Sequence, residues 1–172
     1  SRRFLLRQRQ LQNPVLILRT HLCLIDLLPD TEHTGQPAVV TLAVQQPLEF
    51  ANEAEVVLFG SGIYTRAIAE NAALMDRLTL DPLRQLVGAQ CSGTLLLARL
   101  GLIGNMPACT DLTTKPWLIE AGVRVEDAPF HARGPVATAG GCLAAQYLAA
   151  WMMLRGAGAV AATRALHYAA PV

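Results

Sequence analysis

Short apolar runs alternate with longer stretches in which apolar residues recur at helical spacing. The short runs predict buried strands at 14–18, 38–44, 55–59 and 85–90, with further short strands at 107–110, 123–125 and 134–138. The longer stretches predict helices at 64–78, from 91 to the glycines at 101–104, at 116–120, 142–154 and 159–169. This alternation with short links predicts one α/β domain over 1–172, with helices wound onto both faces of a sheet.

The stretch from Leu86 to Ala98 combines a strand, a tight turn and a helix around a cysteine. Gly88 and Gly93 flank Cys91 and allow the backbone to bend sharply there. A residue at such an elbow lies at the carboxyl edge of the sheet and at the amino end of a helix, which exposes a nucleophile and stabilises its anion. The pattern indicates Cys91 as a candidate thiolate with a lowered pKa. The alternative is a small buried residue at a turn.

Two other segments are predicted near this thiol. Asp26 is the one carboxylate inside the apolar run 21–29, so it either ends a strand, caps a helix or supplies an acid near Cys91. The strand at 55–59 ends in Gly60-Ser61-Gly62, whose amides we interpret as oxyanion donors, because carboxyl ends of neighbouring parallel strands meet at one sheet edge. The same glycine turn is only a weak indication of phosphate binding, because the third glycine and the acidic residue of a dinucleotide-binding fingerprint are missing.

Composition excludes several functional classes. The net charge of +1 provides no broad field for nucleic acid, and 52% hydrophobic residues suit helices packed on a sheet. The sequence has neither a membrane-length apolar run nor a signal-peptide pattern, so we expect no membrane partner and a cytoplasmic location. Its four cysteines and four histidines form no metal-ligand pattern, so we expect reduced thiols, no metal and no cofactor, with Cys109 and Cys142 in the core.

Four motifs in register resemble the ThiJ/PfpI superfamily of class I glutamine-amidotransferase-like proteins. They are Phe59–Gly62 followed by Thr65-Arg66, Gly88–Gly93, Ala108–Asp111 and Val136–Gly141. The sequence is most similar to the isonitrile hydratase branch and to the amidase-like domains of AraC-type regulators, which share the Gly-x-Gly turn followed by Thr-Arg and the Ala-x-Cys-[Ser/Thr]-Gly elbow. The resemblance implies a flavodoxin-like three-layer sandwich with a mostly parallel sheet and a nucleophile elbow, usually as a homodimer.

The resemblance also implies roles for individual residues. Cys91 corresponds to the nucleophile, and Ile25-Asp26-Leu27 resembles the Leu-Asp-Leu that places a carboxylate beside the thiol. The oxyanion and substrate site is then expected to comprise Gly60, Gly62, Ile63, Ser92 and Asp111.

Departures from the superfamily pattern reduce the number of reaction types that the site is expected to catalyse. Protease-like members have a histidine directly after the cysteine, where this chain has Ser92, and many relatives have a histidine where Asp111 stands. A carboxylate does not replace an imidazole base at neutral pH unless its pKa is strongly raised, which argues against a peptidase or an amidotransferase. The region after Asp26 is shorter than usual, and Leu28-Pro29-Asp30 replaces the typical Gly-Pro turn.

We therefore expect a small cysteine-dependent enzyme, similar to isonitrile hydratases or glyoxalases, in which Asp26 relays the proton. The walls predicted from Leu22, Ile63 and Trp117 are apolar, which suits a small uncharged substrate, although packing is the favoured role of Trp117. The alternative is a ligand-binding or thiol redox-sensing protein without turnover. No helix-turn-helix pattern occurs before Val172, so a DNA-binding regulator is not expected.

Overall fold

The computed structural model describes residues 14–19, 21–26 and 45–169. Its strands are β1 (Pro14–Arg19), β2 (His21–Asp26), β3 (Val56–Phe59), β4 (Leu86–Gln90), β5 (Phe130–Arg133) and β6 (Val136–Ala139). Its α-helices are α1 (Thr65–Glu70), α2 (Ala72–Met75), α3 (Thr94–Arg99), α4 (Lys115–Glu120), α5 (Ala145–Ala157) and α6 (Ala159–Ala169). Within these residues, no helix has both the length and the apolar character needed to cross a membrane.

The described strands form one sheet in the order β2-β1-β3-β4-β6-β5. The central strands β3, β4 and β6 are parallel neighbours, whereas β1 is antiparallel to both β2 and β3, and β5 is antiparallel to β6. It follows that β2, β3, β4 and β6 run in one direction, as a mostly parallel sheet requires. The carboxyl ends of the three central strands therefore meet at one edge, where ligands bind in open α/β folds.

Alternate residues of β3 point into two separate cores. Val57 and Phe59 pack into a core that includes Leu74 of α2, Leu96 of α3 and Leu118 of α4. On the opposite face, a second core joins residues of β3 and β6 to one side of α5: Val56, Leu58, Ala137, Ala139, Leu148 and Trp151. A sheet with helices on both faces is the three-layer α/β sandwich predicted from the sequence.

The helix predicted at 64–78 is interrupted. Asn71 adopts an extended backbone between α1 and α2, and its Oδ1 accepts a hydrogen bond from the amide of Leu74 at 3.1 Å. Asparagine competes in this way with helix continuation and caps a new helix instead, so the apolar periodicity persists across a break in the helix.

Several short strands differ from the prediction. Segments 107–110 and 123–125 form no strands and meet in an isolated bridge between Ala108 and Val125. Strand β5 was not predicted, because its four residues include His131 and Arg133 and alternate weakly in polarity. It pairs along β6, which satisfies the backbone groups of that edge. The strand predicted at 38–44 lies outside the described residues.

Gln85, just before β4, holds together the loops at the amino end of the sheet. Its Nε2 donates to the carbonyls of Ala51 at 2.8 Å and Ala54 at 2.6 Å, and its Oε1 accepts from the amide of Asp81 at 2.7 Å. We expect Gln85→Ala to lower the free energy of unfolding by about 3 kcal/mol, because three hydrogen bonds to backbone groups are lost at once. Urea denaturation measures this. The control Arg84→Ala removes only an exposed ion pair with Asp81 and should cost less than about 1 kcal/mol; equal losses would contradict the prediction.

Candidate active site around Cys91

Cys91 stands at a strained elbow between β4 and α3. Its φ is 56°, and no other residue except glycine has a positive φ in the described part of the chain. A Cβ at Gly93 would lie 2.5 Å from the carbonyl oxygen of Phe59 and 2.7 Å from that of Gly60. Only glycine therefore fits where the elbow passes the end of β3. The predicted nucleophile elbow is confirmed in its backbone geometry.

The side chain of Ser92 connects this elbow to the turn after β3. Its Oγ accepts a hydrogen bond from the amide of Gly62 at 3.2 Å and lies 3.0 Å from Oγ1 of Thr65. The Thr65 hydroxyl in turn donates to the carbonyl of Gly62 at 2.7 Å. The glycine turn and the elbow are thus adjacent, as predicted. The oxyanion roles of Gly60, Gly62, Ile63 and Ser92 stay a prediction, and the Gly62 amide already has a partner.

A second set of hydrogen bonds holds the elbow from the other side. Oγ1 of Thr110 donates to the carbonyl of Cys91 at 2.9 Å, and Oγ1 of the buried Thr94 donates to the carbonyl of Cys109 at 2.9 Å. The amide of Cys109 donates to Oγ1 of Thr138 in β6, also at 2.9 Å. Segment 109–110 is therefore fixed between the elbow and β6, which positions the next residue, Asp111, at the thiol.

Asp111 is the carboxylate that contacts the cysteine. Sγ of Cys91 donates to Oδ2 of Asp111 at 3.3 Å. The other oxygen, Oδ1, accepts from the amides of Thr113 at 2.9 Å and Thr114 at 3.0 Å, just before α4. These two amides orient the carboxyl group so that Oδ2 faces the thiol.

The charge state of the pair differs from the sequence prediction. Burial, and then the hydrogen bond to Asp111 with its negative charge, raise the pKa of the Cys91 thiol to about 11. For Asp111, burial acts to raise the pKa, but the hydrogen bonds from Thr114, Cys91 and Thr113 together lower it. The predicted low-pKa thiolate is therefore wrong. At neutral pH the pair consists of a thiol that donates to an ionised carboxylate, because burial and the anion beside the sulfur both disfavour the thiolate.

The predicted partner Asp26 is the last residue of β2, and its side chain lies outside the described residues. Strands β1 and β3 separate β2 from β4, so the two backbones are about 14 Å apart at roughly 4.8 Å per strand. A role for Asp26 in the chemistry stays a prediction. The side chain of Leu22, expected in the pocket wall, also lies outside the described residues.

Other predicted wall residues lie at the surface next to α1. Ile63 is 75% exposed, and Trp117 packs partly against the first core, which matches its favoured packing role. Arg66 lies over the Trp117 ring, 5.1 Å from its centre, and forms an ion pair with Glu70 at 2.8 Å. Arg66 therefore belongs to an exposed ion pair on the surface of α1.

Sequence reasoning missed Gln90, the residue before the cysteine. Its Nε2 donates to the carbonyls of Gly140 at 3.0 Å and Gly141 at 2.8 Å, and its buried Oε1 has no hydrogen-bond partner. A polar side chain at the end of a central strand was the available signal. This contact places the turn after β6 next to the elbow.

That turn borders an open cleft of about 410 Å³. Thr110 connects it with the Cys91–Asp111 pair, and Glu126 and Tyr147 lie in its wall. The residues that line the cleft include neither Cys91 nor Asp111, so it is a neighbour of the site and not a pocket at the thiol itself.

Two further cysteines have side chains that the structure describes, and they differ in exposure. Cys109 is fully buried, as predicted, whereas Cys142 is exposed and the prediction of a core position is wrong. Cys142 begins a 3-10 turn that lies beyond the carboxyl end of β6 and ahead of α5. The residues of α5 that face the sheet, Leu148 and Trp151, come later along the chain.

Comparisons with known proteins find matches in three-dimensional structure but none in sequence. No protein-family model matches the sequence, and no curated protein matches it significantly. Among solved structures, DJ-1 of Schizosaccharomyces pombe aligns with a TM-score of 0.63 at 15% identity, covering 77% of this chain and 74% of its own. A ThiJ/PfpI family protein from Pseudomonas syringae gives 0.66 at 18% identity, covering 76% of this chain and 55% of its own. DJ-1beta of Drosophila melanogaster gives 0.61 at 20% identity, covering 76% and 72%. The chain therefore has the fold of DJ-1/ThiJ/PfpI proteins.

Proposed function

We propose that this protein is a cysteine-dependent enzyme that adds the Cys91 thiol to an electrophilic carbon of a small uncharged substrate, with Asp111 as its acid and base. The observation that carries the proposal is the hydrogen bond from Sγ of Cys91 to Oδ2 of Asp111 at the elbow. We also propose that the protein is a homodimer, because the sequence resemblance implies one.

The raised thiol pKa determines the kind of mechanism. A thiol with a pKa of about 11 is almost entirely protonated at neutral pH, so simple thiolate attack is slow. The Asp111 carboxylate accepts the thiol hydrogen bond, so it is placed to take the proton as the sulfur attacks. Because its pKa is lowered, it is a weak base, so it takes the proton only in concert with sulfur attack and forms no free thiolate beforehand. Asp111 then holds a proton that it can return to the substrate. This chemistry assigns to Asp111 the acid role that the sequence analysis gave to Asp26.

Two histidine side chains belong to the part of the chain that the structure describes. His131 on β5 pairs with Glu126 at 2.7 Å, and His167 is exposed on α6. Neither is hydrogen-bonded to Cys91 in the described part of the chain, so the site lacks the cysteine-histidine pair of peptidases and amidotransferases there.

An isonitrile suits a site that supplies one thiol, one carboxylate and one proton that passes between them. Cys91 sulfur bonds to the terminal isonitrile carbon, and the thiol proton reaches the same carbon through Asp111, which gives a thioimidate. Water then adds to that carbon, the carbon–sulfur bond breaks, and the sulfur regains a proton. The products are the N-substituted formamide and the original thiol, so one water is consumed overall. Small dicarbonyls are the next substrate class to test.

Turnover of an alkyl isonitrile tests the proposal. We expect the native protein to produce the formamide and Cys91→Ser to lose at least about 100-fold in rate, because the nucleophile is gone. Cys142→Ser serves as the matched cysteine control and should keep its turnover. Chromatographic quantification of the formamide, with intact-mass detection of the thioimidate, provides the readout. Formamide production by Cys91→Ser at the native rate, or no turnover of isonitriles and dicarbonyls by the native protein, would contradict the proposal.

A further inference from the structure

We propose that Cys91 and Cys142 form a reversible intramolecular disulfide when the protein meets hydrogen peroxide. This inference concerns Cys142, which has no part in the proposed catalytic cycle.

Strand pairing brings the backbone segments that precede the two cysteines next to each other. In the parallel pairing of β4 with β6, Gln90 lies opposite Ala139. The side chain of Gln90 also binds the carbonyls of Gly140 and Gly141. Each cysteine directly follows one of these joined segments, because Cys91 comes after Gln90 and Cys142 comes after Gly141.

The electrostatics of the thiols agree with this placement. The charge of Cys142 is among the causes that raise the pKa of Cys91, after burial and Asp111.

Local freedom around Cys142 allows the remaining approach. A Cβ at Gly141 would meet nothing within 4 Å, and Leu143 is 90% exposed. The turn before α5 therefore has open space on its outer side into which it can shift, and a disulfide needs about 4.4–6.8 Å between the two Cα atoms.

The two sulfur atoms differ in their exposure to solvent, and this determines which cysteine reacts with peroxide first. Cys142 is exposed, whereas Cys91 is 9% exposed and donates its proton to Asp111. The Cys142 thiolate attacks a peroxide oxygen, the oxygen–oxygen bond breaks, and Cys142 sulfenic acid and hydroxide form. Cys91 sulfur then attacks the Cys142 sulfur while Asp111 accepts the Cys91 proton, and the sulfenic oxygen leaves as hydroxide, which takes that proton from Asp111 to become water. The Cys142 proton lost at the start converts the first hydroxide into the second water. Two thiols and one peroxide thus give a disulfide and two waters, and a dithiol reductant reverses the bond.

Peptide mapping of the full chain tests the inference. The protein is treated with one equivalent of hydrogen peroxide, capped with N-ethylmaleimide and digested without reduction. We expect the Cys91–Cys142 cross-linked peptide in most molecules, its loss after dithiothreitol, and at least a tenfold decrease in Cys142→Ser. A sulfenic acid trap, dimedone, should label Cys142 in Cys91→Ser.

Control variants make the outcome specific. Cys23→Ser is expected to retain the cross-link, and so is Cys109→Ser, or Cys109→Ala if the serine variant does not fold. A cross-link that involves Cys23 or Cys109, a bond between two chains, or oxidation to sulfinate without any cross-link would overturn the inference. Each readout is independent of isonitrile turnover, so failure of the proposed function would leave this test intact.

Discussion

Asp111→Asn is expected to abolish turnover and, at the same time, to make Cys91 react faster with iodoacetamide. The carboxylate raises the pKa of the Cys91 thiol through its hydrogen bond and its charge. Removing that charge lowers the pKa, although burial, the largest cause, keeps it raised. Alkylation needs only the thiolate, whose amount at pH 8 increases about tenfold for each unit by which the pKa falls.

Turnover responds in the opposite direction because asparagine cannot accept a proton. Loss of a general base typically costs about 10²–10⁴ in rate. The pH profile of alkylation for the native protein should continue to rise toward pH 11, and that of Asp111→Asn should level off at lower pH.

Asp26→Asn, measured in the same two assays, decides between the two carboxylates. Retained turnover in Asp111→Asn together with its loss in Asp26→Asn would assign the proton relay to Asp26 and contradict our proposal. Slower alkylation in Asp111→Asn would show that the carboxylate promotes ionisation of the thiol, contrary to the direction of its pKa.

Gly93→Ala is expected to be the most damaging small substitution near the site. A Cβ at this position would lie 2.5 Å from the Phe59 carbonyl oxygen and 2.9 Å from its carbon, and both are backbone atoms of β3 that cannot rotate away. We expect a loss of about 3 kcal/mol in the free energy of unfolding, with displacement of the elbow from the turn at Gly60. Thermal or urea denaturation measures the loss.

Gly141→Ala provides the matched control for the same chemical change. The added methyl group at Gly141 meets nothing within 4 Å, and the backbone there is extended with φ −62°. We expect a change within about 0.5 kcal/mol. If both alanine variants were equally stable, the close approach at Gly93 would not be a determinant of the fold.

Local sequence patterns predicted the central fold well. The strands at 14–18, 55–59 and 85–90 and the helix at 159–169 are present, because uninterrupted apolar runs and helical periodicity each match one buried environment. Shorter elements were harder to predict. The break at Asn71 and the strand at 130–133 depend on a side-chain cap and on pairing with β6, and neither leaves a clear periodicity.

The candidate site was predicted in its parts but not in its electrostatics. Cys91, Ser92 and the glycine turn were identified, since an elbow has a local signature. Which carboxylate meets the thiol depends on the path of the chain between residues 91 and 111, which local patterns do not specify. The direction of the pKa change follows from burial of the thiol and from that contact, whereas the sequence shows only the helix end beside Cys91.

The elbow is held by side chains from separate parts of the chain, and this has a consequence for transplanting the site. Ser92 bonds to residue 62, and Thr110 bonds to the Cys91 carbonyl, so no contiguous peptide contains the full set of contacts. A designed α/β scaffold that received only residues 86–98 would gain the cysteine without the contacts that maintain its φ of 56°. Grafting the site would require four segments, at 60–65, 86–98, 108–114 and 138–141, supported by adjacent parallel strands of matching register.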